Sequence, residues 1–328
     1  MKRFFQKRLY NLNGEVVLLI SALIMLLIAI ARPSINTMRV QQNYLFVVDV
    51  TQSMNVKDMS WSGTPITRLE YAKQLLKESI KTLPCDSQVS LGIFFKTTAT
   101  LLYTPIETCS NYHLLWDTID HLDWRMASQG NSNIRIGLLS IASLLVTGND
   151  TISQVIFMTD GQEAQPLNVF TKTSLTDWQD KRPWLIVGLG GNKPTPIPKL
   201  DTKNAVLGYW STDAIKLNPA SNVDEGHNGG RDNSIATEPY EYYFSRLEEP
   251  YLKELAADIG AQYIKAGTSQ QLIAALNKQP SSMQFQAKFA LNWIFASLAL
   301  LLMIALYLPD IISSINKQMR RYKNYKIY

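Results

Sequence analysis

Residues 43–278 of this 328-residue chain read as a doubly wound, mostly parallel α/β domain of the Rossmann-like kind, flanked on either side by an apolar helix. Three observations predict this. Short, nearly continuous apolar runs alternate with amphipathic segments, the pattern of strand–helix units in a sheet covered on both faces. Two long apolar runs bracket the alternating region, and a basic tail lies outside each. Hydroxyl- and carboxylate-bearing residues follow the apolar runs directly, where such sheets bind their ligands.

From the N-terminus, residues 1–15 form a basic tail carrying Lys2, Arg3, Lys7 and Arg8. Val16–Ala31 is interrupted only by Ser21 and predicts a transmembrane helix over 16–32. It is slightly short beside the roughly 17–20 apolar residues of a spanning helix. The same segment also reads as a cleaved signal peptide, with a basic start and Ala29-Ile30-Ala31 before the cut. The length of the run, and Pro33 just beyond it, favour an uncleaved anchor.

Tyr44–Val50 then predicts a central strand and Arg68–Thr82 a helix, with Thr67 and Glu70 spaced as a capping box. Val89–Phe95 and Thr100–Tyr103 read as a strand pair. Asn111–Leu122 and Ile134–Val146 read as helices, Gln154–Met158 and Trp184–Gly188 as buried strands. Tyr251–Asp258, Gln262–Ile264 and Ser269–Asn277 complete the alternation as helix, strand and helix. Residues 190–249 interrupt it with Pro, Gly, Asn and Asp, including His227-Asn228-Gly229-Gly230-Arg231-Asp232-Asn233. This stretch is read either as a mobile surface loop or as a partner-binding insertion.

Phe289–Leu308 contains only Asn292 and Ser297 as polar residues and predicts a second transmembrane helix over 289–308. Trp293 and Tyr307 suit its two membrane interfaces. The tail at 309–328 adds Lys317, Arg320, Arg321, Lys323 and Lys326. By the positive-inside rule both termini face the cytoplasm, which places the central domain on the periplasmic side of an inner membrane. Nine of the 32 basic residues lie in the tails; the remaining 23 face 25 acidic ones, a net charge of −2. The domain therefore lacks the basic face of a nucleic-acid binder.

The chemistry-bearing segments sit where a doubly wound sheet puts its ligand. Asp49-Val50-Thr51-Gln52-Ser53 follows the first strand, Thr159-Asp160-Gly161 the fourth, and Gly130-Asn131-Ser132-Asn133 precedes the Ile134 helix. Two carboxylates and three hydroxyls are hard oxygen donors, suited to Mg²⁺, or to Mn²⁺ or Ca²⁺, and unsuited to zinc or copper.

These segments resemble the metal-ion-dependent adhesion site of von Willebrand factor A (VWA) domains: a D-x-S-x-S loop, a distant Thr, and an Asp in a T-D-G turn. Asp49, Thr51 and Ser53 fill the first motif, with Thr51 in place of a Ser; Ser132 stands at the Thr position and Asp160 at the distal Asp. The resemblance implies the VWA sheet order, with the second and third strands antiparallel. It also implies an ion with an open position to which an acidic group of a partner protein binds. Met54, Asp58 and Arg68-Leu69 further resemble bacterial membrane VWA proteins encoded beside MoxR-type AAA+ ATPases, including the Bat proteins and those linked to methanol dehydrogenase assembly. That kinship implies chaperone-like maturation or metal insertion of envelope proteins, with the ATPase and other membrane VWA proteins as partners. The VWA topology also places Cys85 and Cys109 about 12 residues either side of the centre of the strand-two/strand-three hairpin. It thereby implies a Cys85–Cys109 disulfide at the end of the sheet away from the ion, in a compartment where such bonds persist.

Other signals lead elsewhere. Gly188-Leu189-Gly190-Gly191 lacks the third glycine and following helix of a dinucleotide loop and reads as a turn. His113, His121 and His227 have no metal spacing, and no nucleophile–base arrangement is evident, which argues against an enzyme. Two function classes remain: a cation-dependent binding module in envelope maturation, or a surface adhesion or structural protein using the same site on an external ligand.

Overall fold

A computed structural model describes residues 2–127, 132–147, 154–163, 174–175, 177, 183–212, 235–236, 238–278 and 283–325. It divides into two units, one of residues 1–39 with 284–328 and one of residues 40–283.

In the first unit, helix α1 (Lys2–Ile30) packs against a long C-terminal helix, Asn292–Tyr325. Strand β1 (Ser34–Gln41) pairs with a strand at Met283–Ala290, and the Leu291 amide donates to the Pro33 carbonyl at 2.8 Å, holding the helix ends together. This ribbon corrects the expected boundaries of both spans. Helix α1 stops at Ile30, followed by Arg32 at φ 50°, and residues 289–290 are strand rather than helix. The alternation Met283, Phe285, Ala287, Phe289 against Gln284, Gln286, Lys288 is a period-two signal that the adjoining apolar run conceals. Among the described residues no helix is long and apolar enough to cross a membrane, so the two expected spans are not found there. The side chains of the basic tails lie outside the described residues.

The second unit is built on a six-stranded sheet. In chain order its strands are β2 (Asn43–Asp49), β5 (Gln88–Phe95), β6 (Thr98–Glu107), β7 (Gln154–Thr159), β8 (Trp184–Gly188) and β9 (Gln262–Lys265), with a small hairpin of β3 (Met59–Trp61) and β4 (Thr64–Ile66) outside it. The spatial order is β9-β8-β7-β2-β5-β6; β6 runs antiparallel to β5 and the other pairings are parallel. The expected antiparallel second and third strands are β5 and β6. The apolar run of β2 is continuous because both faces are covered. Tyr44, Phe46 and Val48 enter a core beneath α2 (Arg68–Thr82), α3 (Tyr112–Asp120) and the Ser269–Lys278 helix. Leu45 and Val47 enter another beneath α4 (Ile134–Thr147) and α5 (Glu249–Ile259).

Helix α2 begins as its sequence predicts, the Thr67 side chain accepting from the Glu70 amide at 3.1 Å. The reciprocal half of the capping box is replaced by an ion pair, Lys73 Nζ to Glu70 Oε1 at 2.6 Å. Met54 is a core residue.

Cys85 and Cys109 form the expected disulfide, with Cα atoms 5.3 Å apart. Gln88 pairs with both Glu107 and Asn43, whereas Asp49 pairs with Phe94, so the bridge closes the end of the sheet opposite Asp49. In the loop-entropy account a link of this span stabilises by about 3 kcal/mol. Replacing both cysteines by serine is expected to lower stability by that amount in chemical denaturation; an unchanged midpoint would contradict it.

The described residues of the 190–249 stretch form two small antiparallel pairs, Thr195–Pro196 with Phe244–Ser245 and Pro198–Leu200 with Val206–Tyr209. Ile197 and Trp210 pack with Val56 in a core of their own. The 227–233 segment lies outside the described residues.

Candidate metal centre

The parallel register brings the chemistry-bearing strand ends side by side. Val48 pairs with Met158, so Asp49 and Thr159 end neighbouring strands at the same level. Asp49, Thr159 and Asp160 are fully buried, while Thr51, Ser53 and Ser132 each keep a sliver of exposure. Access to the carboxylates is therefore past the hydroxyls.

Asp49 organises the first loop. Its Oδ1 accepts from the Thr51 amide at 2.9 Å and the Thr51 hydroxyl at 2.7 Å, and its Oδ2 accepts from the Thr159 hydroxyl at 2.6 Å. The Thr51 and Ser53 hydroxyls are 3.3 Å apart within the turn that continues as the 3-10 segment Gln52–Asn55. Burial, and next the neighbouring Asp160 charge, raise the Asp49 carboxyl to about 7 against the opposing bonds from Thr159 and Thr51.

Asp160 is held by other partners. Its Oδ1 accepts from the Gln162 amide at 2.9 Å and its Oδ2 from Arg68 Nη1 at 2.6 Å. The turn behind it needs Gly161: φ is +81°, and a Cβ there would lie 2.9 Å from Leu252 Cγ. Ser132 approaches through the same loop, its hydroxyl donating to the Gln162 carbonyl. Its position is set by the Asn133 amide on the Lys96 carbonyl at 2.6 Å and the Ile134 amide on Glu163 Oε1 at 2.9 Å. Gly130 and Asn131 of this motif lie outside the described residues.

Of the five expected donors, Asp49, Thr51 and Ser53 are thus joined directly. Asp160 is near enough to act on Asp49 by its charge but is bonded to Arg68, and Ser132 is linked to Asp160 through Gln162. The sequence reading missed the Arg68 role, the Thr159 bond to Asp49, and Ser245, whose hydroxyl accepts from Arg68 at 2.7 Å. The signals available were the Thr of T-D-G and Asp58, ten residues before Arg68. Asp58 is a partner of Arg68.

Arg68 pairs with Asp58 and Asp160, and Asp49 is near enough to feel the Asp160 charge, so the cluster sets three carboxylates against one guanidinium. Among the described residues no group of three or more His, Cys, Asp or Glu is arranged to hold a metal. The donor set here is of another kind, two carboxylates and three hydroxyls, and with its charge surplus it fits a hard divalent cation.

Residues 44–162 match the von Willebrand factor type A domain family. No curated protein matches the sequence. Among solved structures, an aerotolerance-related membrane protein from Bacteroides fragilis is 18% identical, with 73% of this chain and 98% of that one covered and a TM-score of 0.50. BatB from Bacteroides thetaiotaomicron is 17% identical, with 72% and 96% covered and a TM-score of 0.49. The α/β unit, with its mixed, mostly parallel sheet, is accordingly VWA-like, and VWA domains are in general protein-interaction modules.

Proposed function

We propose that this VWA-type domain binds a divalent cation, Mg²⁺ foremost, through Asp49, Thr51, Ser53, Ser132 and Asp160, and holds an acidic group of a partner protein at that ion. The observation that carries the reading is the buried charge surplus beside three hydroxyls at the carboxyl ends of the strands. Asp49 fixes the Thr51 hydroxyl by a direct bond, Thr51 in turn contacts the Ser53 hydroxyl, and Arg68 restrains Asp160. A bound cation would supply residual positive charge toward which a partner's carboxylate is drawn. Recognition of this kind makes no covalent bond, so the domain is a binding module rather than an enzyme.

The reading extends to the membrane. Val17, Leu23 and Leu27 on α1, and Leu300, Leu301 and Ile304 on the C-terminal helix, are exposed. In water such a surface is costly, and in lipid it is ordinary. We place the helix pair in a bilayer with both basic tails on the cytoplasmic side and the VWA domain outside, where it acts in maturation of envelope proteins with a MoxR-type ATPase. The Bacteroides fragilis protein of similar fold is itself described as a membrane protein.

Capture of partners from solubilised membranes by the full-length protein tests this. Retention in Mg²⁺, release by chelator and no capture by Asp160→Ala are expected; capture indifferent to chelator would contradict the proposal.

A further inference from the structure

We infer that Arg68 is a positioning residue that ties the candidate ion site to the 190–249 insertion, so that cation binding and the ordering of the insertion are coupled. The inference rests on the ion-binding reading above and adds to it a connection carried by residues outside the donor set.

Arg68 opens α2, its amide donating to the Val56 carbonyl at 3.1 Å, and its side chain is fully buried. Nη1 donates to Asp160 Oδ2 at 2.6 Å and to the Ser245 hydroxyl at 2.7 Å. Nη2 donates to Asp58 Oδ2 at 2.6 Å and to the Ser245 carbonyl at 3.3 Å, and Nε reaches Asp58 Oδ1 at 3.0 Å. One guanidinium therefore bonds a candidate ion ligand on one side and the insertion on the other.

Both roots of the insertion meet at this point. At its start, the Gly191 amide donates to Asp58 Oδ2 at 2.8 Å. Gly190 sits at φ +128°, and a Cβ there would lie 2.8 Å from Arg68 Nε. The glycine run that resembles a fragment of a dinucleotide loop is thus a turn that lets backbone lie against the Arg68–Asp58 pair. At its end, Ser245 contacts Arg68, the Leu247 amide donates to the Gly191 carbonyl at 2.9 Å, and the Glu248 amide donates to the Asp160 carbonyl at 2.9 Å.

Asp160 serves both the ion site and Arg68, so positive charge arriving near Asp160 weakens its pairing with the guanidinium and repels it. The other partners of Arg68 are Asp58 and Ser245, which hold the insertion, and the Ser53 carbonyl at 3.5 Å. By linkage, a change in how the insertion holds Arg68 changes cation affinity by the same factor.

Hydrogen exchange and thermal melting of the full-length protein in detergent, with and without Mg²⁺ alone, test the coupling. In the wild type, Mg²⁺ is expected to raise the melting temperature and to change exchange in peptides spanning 190–200 and 238–248. In Asp58→Asn, Arg68 loses its Asp58 ion pair and keeps the one with Asp160; Mg²⁺ affinity is expected to fall about fivefold, and the exchange response of both peptides to be lost. Ser245→Ala alters no charge and carries the same comparison if Asp58→Asn does not fold: melting still responds to Mg²⁺ and the peptides do not. A wild type that melts higher in Mg²⁺ with both peptides unchanged would overturn the coupling, as would variants that keep the full exchange response. A wild type whose melting ignores Mg²⁺ would overturn the ion-site reading itself, and the coupling with it.

Discussion

Asp49→Asn is expected to make the metal-free protein more stable and to remove its response to divalent cations. Folding raises the Asp49 carboxyl from 3.8 to about 7, so between those values the folded chain retains a proton the unfolded chain has lost. Because the folded state binds more protons there, stability falls as pH rises through that window, and the penalty is complete above it. Its size is on the order of 4 kcal/mol at pH 8. Asparagine keeps the shape and an acceptor for the Thr51 bonds, removes the repulsion from Asp160, and leaves the Thr159 hydroxyl free to turn and accept. In chelator at pH 8 the variant should melt above the wild type, with a flat profile between pH 5 and 8 where the wild type declines. Added Mg²⁺ should stabilise the wild type by about 2.7 kcal/mol at a hundredfold excess over Kd and leave the variant unmoved. A variant that still gains stability from Mg²⁺ would contradict the assignment of Asp49.

Arg68→Met is expected to be among the most damaging single changes in the domain. Methionine occupies much of the buried volume but leaves Asp160 and Asp58 without the guanidinium that both carboxylates share. Breaking a buried pair on one side costs about 3–5 kcal/mol, because the remaining charge is stranded. Chemical denaturation of the full-length protein in detergent should register that loss, and adding Asp58→Asn and Asp160→Asn to Arg68→Met should recover part of it. A single variant within about 0.5 kcal/mol of wild type, the range of an ordinary surface change, would show that the network adds little to stability.

The fold was legible because its signals are local and strong. The run Tyr44–Val48 alternates between two cores, so its apolar continuity identifies a central strand without knowledge of its neighbours. The disulfide followed from the VWA resemblance, since the hairpin it implies fixes which residues reach the same end of the sheet. The donor set was legible as types and positions, because a ligand site at strand ends leaves its residues directly after apolar runs. The clasp was not. Arg68 reads as a helix start within a family resemblance, and its partners Asp58, Asp160 and Ser245, with Gly191 on Asp58, are brought together only by the closed fold. The ribbon of residues 34–41 with 283–290 was hidden for another reason: its alternating apolar residues adjoin a longer apolar run that absorbs them. The insertion looked irregular because its order comes from short pairings and from Trp210 and Ile197 packing on Val56, which have no periodicity.

Crystals of the protein grown with Mn²⁺ and measured at the manganese absorption edge locate the ion without reference to stability or partners. One anomalous peak bounded by the oxygens of Asp49, Thr51, Ser53, Ser132 and Asp160 is predicted. Density that shows no ion there at saturating Mn²⁺, with Arg68 still paired to Asp160, would contradict the account.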